Sequence, residues 1–132
     1  MSAFSDTLSQ FIDDKKIKVY SDVFGKVVEL VIGDYGDMAR YVQKEFGLEV
    51  EPFNRELYNA FTIKILSAKE TCLIWMPKFR KHRVDDLSTL VHECVHAAEI
   101  IIELCGLEGG NNHELEAYLI SHLYSGFLKE LQ

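Results

Sequence analysis

Two histidines and a glutamate stand close together in the second half of the chain, in the segment His92-Glu93-Cys94-Val95-His96. The two histidines are four residues apart, so on an α-helix their side chains project from the same face, one turn apart. Two imidazole nitrogens placed in this way can bind a single Zn²⁺ ion. The segment therefore predicts a zinc site on a helix, with His92 and His96 as metal ligands.

Glu93 directly follows the first histidine, where its carboxylate can lie beside the metal without binding it. Zinc lowers the pKa of a bound water, and a neighbouring carboxylate can accept the proton of that water as it attacks a carbonyl. The His-Glu-x-x-His motif is associated with this chemistry, although it also occurs by chance. Uncharged residues flank the motif, and a buried helix would leave these polar side chains unpaired without a metal. We therefore predict Glu93 as the catalytic base of a zinc-dependent hydrolase; the alternative is a surface helix with two solvated histidines.

A catalytic zinc site requires a third protein ligand, and the last predicted helix offers Glu114 and Glu116. On a helical wheel, Glu116 lies on a bulky apolar stripe and Glu114 lies on a stripe of small residues. The small stripe consists of Glu114, Ala117, Ser121 and Ser125. A ligand helix must approach the metal helix closely, and small side chains allow this, so we predict Glu114 as the third ligand. Glu116 remains an alternative, as does a role for Glu114 in complementing the helix dipole.

The motif and the segment after it resemble the gluzincin branch of the zincin metallopeptidases. The resemblance rests on residues Leu90–Ala98, a Gly-containing loop and the pattern Glu114-x-x-Ala117, within roughly the last third of the chain. The pattern looks closest to short metallopeptidase-like proteins carried by phages and prophages. The resemblance implies a zincin-like fold and peptide-bond hydrolysis. It also implies that the two histidines and Glu114 bind Zn²⁺ and that the motif glutamate acts as general base and acid.

The chain departs from larger gluzincins at Tyr118, where many of them place an aspartate that orients a zinc-binding histidine. A tyrosine hydroxyl could take that role, and a core or interface tyrosine is an equal alternative. The spacing in some larger enzymes would select Glu116 as the ligand. Four side chains are candidates for stabilising a tetrahedral intermediate, and the sequence does not choose among them. They are Tyr118, Tyr124, His113 and His122.

Strand patterns dominate the first half of the chain. Residues 16–20 and 27–32 predict two strands with a turn near Gly25, and residues 60–66 and 71–76 predict a hairpin. Either hairpin strand could align an extended peptide by strand addition, the alternative being an ordinary core hairpin. Between these pairs, residues 37–46 predict a helix with Asp37 as N-cap and Gly47 as its end.

Helix patterns dominate the second half. One helix is predicted from Asp85 or Asp86 to about Cys105, and another from Asn111 or Asn112 to about Leu131. Two helices joined by a short loop are expected to pack antiparallel. The whole pattern predicts one α+β domain over residues 1–132, a minimal zincin-like domain with a small, mostly antiparallel sheet packed on helices. The antiparallel ligand helix follows the metal helix.

Two other features, a cysteine within the motif and a basic run before it, support secondary predictions. Cys94 lies inside the motif but is turned away from the histidine pair by helix geometry, which predicts a packing role. The basic run from Lys78 to Arg83 precedes the metal helix and could dock an acidic substrate segment or a phosphate. Short basic runs have weak specificity, and a solvated connection is the more usual role.

Charge and composition exclude several classes of function. The 132-residue chain has a formal net charge of −7, which argues against nucleic-acid binding and, more weakly, against anionic membrane surfaces. No apolar run is long enough to span a bilayer, and the polar start does not read as a secretory signal. The chain has three cysteines, an odd number that does not form a complete set of disulfide pairs. This favours reduced thiols and a cytoplasmic location.

Two further classes of function fit the same residues. The first is a non-enzymatic, zinc-stabilised binding or regulatory protein that keeps the zincin-like fold. The second is a metal-free interaction protein with a chance motif. For the preferred peptidase, 132 residues leave little room for the second domain that closes the cleft in larger zincins. We therefore expect a shallow groove for a peptide or protein substrate, with a homo-oligomer or regulatory partner supplying specificity or activation.

Overall fold

The computed structural model describes residues 11–21, 24–50, 60–65, 70–106 and 113–132. This part of the chain forms a small α+β fold with three helices and a mixed four-stranded sheet. The elements in chain order are β1 (Phe11–Ile12), β2 (Lys15–Ser21), β3 (Lys26–Ile32), α1 (Tyr35–Phe46), β4 (Phe61–Lys64), β5 (Glu70–Met76), β6 (Phe79–Arg80), α2 (Val84–Leu104) and α3 (His113–Leu131).

The central sheet has the strand order β2-β3-β5-β4, and β1 pairs with β6 in a separate ribbon. Both predicted pairs of strands are confirmed: β2 pairs antiparallel with β3, and β4 pairs antiparallel with β5, as expected for the predicted hairpin. Two of the three pairings in this sheet are antiparallel, as expected, and the third, between β3 and β5 at the centre, is parallel, which makes the sheet mixed. A parallel pair requires a long crossover, and the segment containing α1 and β4 provides it.

The sheet is covered on both faces, which explains why β3 and β5 are almost entirely buried. Alternate residues of β3, such as Val28 and Leu30, pack with α2 and α3. On the opposite face, Val31 and Trp75 pack with Met38 and Val42 of α1. Continuous apolar runs of this kind are typical of strands buried on both faces.

The helix boundaries agree with the sequence patterns, with corrections at two N-caps. Arg83, rather than Asp85 or Asp86, is the N-cap of α2 and makes no capping hydrogen bond through its side chain, because Asp86 lies inside the first turn and binds Arg80 instead. Asp34, rather than Asp37, is the N-cap of α1, because its side chain accepts a hydrogen bond from the backbone N–H of Asp37. Gly47 ends the helix in the left-handed conformation, as predicted. The proposed caps Asn111 and Asn112 lie outside the described residues. Among the described residues, no helix is both long and apolar enough to cross a membrane.

Helix α3 packs on the sheet through its bulky stripe. Leu119, Leu123 and Phe127 are fully buried in the same core as Ala97 and Ala98 of α2. The expectation that the small stripe faces α2 was wrong, because that stripe is exposed to solvent. Its members are Glu114, Ala117, Ser121 and Ser125. Burial of large apolar side chains dominates the orientation of a helix, and the small residues at the α2–α3 contact come from α2.

Candidate metal centre

The motif residues lie in the middle of α2, and the helix divides them between two environments. His92 and His96 are exposed, whereas the side chain of Glu93 is only 5% exposed. On the opposite side of the helix, Cys94 and Ala97 are fully buried in the core. This arrangement follows from the i, i+4 spacing, which places both histidines on one stripe and the apolar residues on another.

The two histidines have the geometry that a shared metal ion requires. Their Nε2 atoms are 3.1 Å apart, and their ring planes are inclined at 83°. Two nitrogens that bind one tetrahedral zinc at about 2.0–2.1 Å are roughly 3.3 Å apart. The same separation also permits a hydrogen bond between two imidazoles when one of them donates. The donor set and its spacing therefore fit zinc and do not require it.

The Glu93 carboxylate belongs to the same cluster. Ligand atoms of His92, Glu93 and His96 all lie within 4.8 Å of one another, which makes these residues a group able to hold a metal ion. One carboxylate oxygen, Oε2, accepts a hydrogen bond of 2.8 Å from the hydroxyl of Thr62. Thr62 belongs to β4, so the edge strand of the sheet directly contacts the motif glutamate.

A groove runs between α2 and β4 and contains the cluster. It has a volume of about 390 Å³. Its lining comes from these two elements: Ala60, Phe61, Thr62, His92, Glu93, His96, Glu99, Ile100 and Glu103. β4 is the last strand on this side of the sheet within the described residues. The two histidines are therefore accessible from solvent along the edge of the sheet, in an open groove rather than a closed cavity.

Two further acidic side chains on α2 line the same groove. Glu99 lies one turn after the second histidine, and its carboxylate is 3.8 Å from Nδ1 of His96. Glu103 lies another turn along the helix and forms an ion pair of 3.2 Å with Lys64 of β4. Carboxylates near the outer ring nitrogen of a metal-binding histidine commonly orient the ring. Glu99 is the side chain in the groove that is placed for this role.

The predicted third ligand does not join this cluster in the described part of the chain. Glu114 is exposed on the first turn of α3 and Glu116 is half-buried there, and the group able to hold a metal contains neither of them. Helix α2 packs over β5 and β4, whereas α3 packs over β2 at the opposite edge. The histidines line the groove on the β4 side of α2. The assignment of Glu114 as a zinc ligand stays a prediction.

The candidates for stabilising a tetrahedral intermediate lie on α3 and do not line the groove. The ring of Tyr118 stacks on His122, with centroids 5.8 Å apart, and is half-exposed. His122 is itself 2.9 Å from the backbone oxygen of Tyr20, to which its ring N–H can donate. Tyr124 packs against the core, and burial raises the pKa of its hydroxyl. His113 is exposed at the start of the helix.

The packing role predicted for Cys94 is confirmed. Its side chain has no solvent exposure and belongs to the main core. Burial raises the pKa of the Cys94 thiol to about 12, and it does the same for Cys72. A thiol is a nucleophile or metal ligand only as the thiolate, so the burial and raised pKa of these two cysteines fit a packing role.

The basic run before α2 contains a structural ion pair. Phe79 is buried, and Arg80 forms hydrogen bonds of 2.8 and 3.0 Å to the two carboxylate oxygens of Asp86. The Arg80 backbone N–H donates to Asp86 as well. Burial acts to raise the pKa of Asp86, but these hydrogen bonds and the charge of Arg80 outweigh it and hold that pKa below its ordinary value. Arg80 therefore fixes the first turn of α2.

Two residues of the groove were missed by the sequence reasoning. Thr62 is a polar residue in an otherwise apolar strand pattern, and its contact with the motif depends on the pairing of β4 with β5. Glu99 stands three residues after the second histidine. That spacing alone places it beside the histidine on a helix, so the sequence did contain the signal for Glu99.

Comparisons with protein-family models, curated proteins and solved structures find no match to this chain. The resemblance to gluzincins consequently rests on the motif residues alone, and the zincin-like character of the fold stays a prediction. The function must be argued from the cluster in the groove.

Proposed function

We propose that the protein is a zinc-dependent metallopeptidase whose site is the groove between α2 and β4. One observation carries the proposal: the paired Nε2 atoms of His92 and His96 lie beside a buried carboxylate, Glu93, on a solvent-accessible groove. Two neutral nitrogen donors and an adjacent carboxylate are a combination found at hydrolytic zinc sites.

Each of these side chains has a separate proposed role. His92 and His96 would hold the zinc, with Glu114 as the third ligand predicted from the sequence. When bound, zinc would polarise the carbonyl of the substrate and make water acidic enough to be deprotonated near neutral pH. Glu93 would accept a proton from the attacking water and deliver it to the leaving amine. Glu99 would hold the ring of His96 in place through its Nδ1 side.

The shape of the groove favours an extended peptide as substrate. Within the described residues β4 is the edge strand of the sheet, and it lines the groove together with α2. A sheet edge can bind an extended peptide through backbone hydrogen bonds, with alternate side chains directed toward the neighbouring pocket. An open groove of this kind accommodates a protein segment but makes few contacts with its side chains. A second copy of the chain or a regulatory partner would then supply the remaining specificity.

The test compares zinc content and hydrolysis in matched variants. The wild-type chain is stripped with a chelator, reloaded with zinc and analysed for bound metal beside Glu93→Gln, His96→Ala and Glu103→Gln. Labelled casein and a mixed peptide set serve as substrates. We expect one zinc per chain in all but His96→Ala. Hydrolysis should fall by about 10²- to 10⁴-fold in Glu93→Gln, the usual contribution of general acid–base catalysis. Glu103→Gln removes a charge from the same groove and should retain activity.

A second candidate function is supported by the position of the glutamate within the cluster. Because the Glu93 carboxylate lies as close to the histidines as a ligand would, the three residues could form a purely structural zinc site in a binding or regulatory protein. In that case Glu93→Gln would lose zinc and stability together, and no substrate would be hydrolysed. Retention of zinc with loss of hydrolysis supports the peptidase, whereas equal hydrolysis in Glu93→Gln and wild type would refute it.

A further inference from the structure

The side of β4 that faces α2 carries polar residues where a core strand would carry apolar ones. In the β4–β5 register, Thr62 and Lys64 lie opposite Ile74 and Cys72, two buried residues of the core shared with α2. Both polar side chains reach glutamates of α2: Thr62 contacts Glu93, and Lys64 contacts Glu103. The edge strand is thus attached to the metal helix by two polar contacts, one of which ends on the proposed base.

The contact between Thr62 and Glu93 is well formed. The Thr62 hydroxyl oxygen is 2.8 Å from Oε2 of Glu93 and 3.3 Å from the backbone oxygen of the same residue. A hydroxyl has one proton to donate, and the contact to the carboxylate, which is shorter than the contact to the backbone oxygen, is the stronger one. The carboxylate is almost fully buried, so a hydrogen bond at this position offsets the desolvation of its charge.

We propose that Thr62 is a positioning residue that holds the Glu93 carboxylate in its proton-accepting orientation, an inference that rests on the proposed peptidase function. The hydrogen bond occupies one acceptor site on Oε2 and leaves Oε1 for the proton. A glutamate side chain has three rotatable bonds, and fixing one carboxylate oxygen restricts all of them. Proton transfer depends on hydrogen-bond distance to the acceptor, and a displacement of about 1 Å can reduce a rate by about 10².

Two substitutions separate this role from simple packing. Thr62→Val keeps the branched shape of the side chain and removes the donor, whereas Thr62→Ser keeps the donor. Lys64→Gln is the matched control, because it breaks the other polar contact between β4 and α2. With zinc bound, we expect Thr62→Val to lower kcat about 10- to 100-fold with KM and zinc affinity unchanged. Thr62→Ser should remain within about threefold of wild type, and Lys64→Gln should be unchanged.

A second readout uses the zinc-free protein and does not depend on activity. Thermal unfolding is measured for wild type, Thr62→Val, Glu93→Ala and the double variant. If the hydrogen bond exists in solution, Thr62→Val should lower the Tm by a few degrees in the wild-type background. The same substitution should have no effect, or a stabilising one, when Glu93 has been truncated, because the half-buried hydroxyl then has no carboxylate to bind.

The outcomes distinguish this inference from the proposed function. A wild type that hydrolyses none of the peptide or casein probes overturns both. An active wild type with normal kcat in Thr62→Val overturns the role of Thr62 alone. Three other results would also overturn the role of Thr62. They are a kcat in Thr62→Ser as low as in Thr62→Val, a loss of zinc affinity in Thr62→Val, and Tm changes of Thr62→Val and Glu93→Ala that add up in the double variant. A kcat loss restored by serine, together with non-additive Tm changes, supports it.

Discussion

Gly126 allows α3 to lie directly on the sheet, and substituting it tests the packing of this helix. A Cβ atom at this position would lie 2.9 and 3.0 Å from the two methyl groups of Val19 and 3.5 Å from its Cβ. Carbon atoms in favourable contact are about 3.5–4.0 Å apart. The added methyl group would therefore overlap the Val19 methyl groups by about 0.5–1 Å. Val19 is β-branched and buried in β2, so it has little freedom to rotate away.

The magnitude of the effect follows from two opposing terms. Overpacking of a core contact costs about 1–3 kcal/mol, whereas replacing glycine by alanine inside a helix contributes about 1 kcal/mol of stability. We expect Gly126→Ala to lower the free energy of unfolding by about 1 kcal/mol, taking the middle of these ranges. For a chain of this size the Tm should fall by about 3–5 °C, measured by circular dichroism or calorimetry.

Two controls make the test of Gly126 specific. Gly36, in the first turn of α1, is the first control: the atoms nearest its Cβ position are the capping oxygen of Asp34 at 3.1 Å and the guanidinium of Arg40 at 3.5 Å, and both side chains are exposed and able to shift. Gly36→Ala should therefore keep or raise the Tm. In a Val19→Ala background the clash is removed, and Gly126→Ala should become stabilising. A Gly126→Ala variant more stable than wild type would refute the close approach of α3 to β2.

Two further predictions concern the start of α2 and the third metal ligand. Asp86→Asn should lower the free energy of unfolding by about 1–3 kcal/mol at pH 7. Because the folded pKa of Asp86 is lowered, its contribution is complete above the unfolded value of about 3.9 and is lost as the pH falls through the folded pKa. Denaturant titrations should thus show the deficit shrinking below about pH 4, and a deficit independent of pH would contradict the ion pair with Arg80. If Glu114 binds zinc, Glu114→Ala should weaken zinc binding by more than about 10- to 100-fold, whereas Glu116→Ala should leave it unchanged. Zinc affinity is measured by competition with a chelator. Equal affinities in wild type and Glu114→Ala would exclude Glu114 as a ligand.

The local elements could be predicted from the sequence because their signals are local. Alternating apolar residues predicted β2, Gly25 marked the turn that follows it, and Gly47 ended α1 as expected. The spacing of His92 and His96 on a helix was sufficient to bring their Nε2 atoms together, since residues four apart lie on one face whatever the rest of the fold does. Even here, the cap of α1 was misplaced by three residues, because Asp34 and Asp37 are chemically equivalent candidates.

The tertiary structure decided which elements meet, since pairing between distant segments is governed by total burial rather than by a local pattern. It placed β3 parallel to β5, brought Thr62 of β4 to Glu93, and turned the bulky stripe of α3 inward, which left Glu114 exposed. The sequence by itself determined the two histidines and the glutamate of the candidate site and their common helix. Only the fold decided that they face an edge strand across an open groove, because that position depends on where α2 buries its apolar side against the sheet.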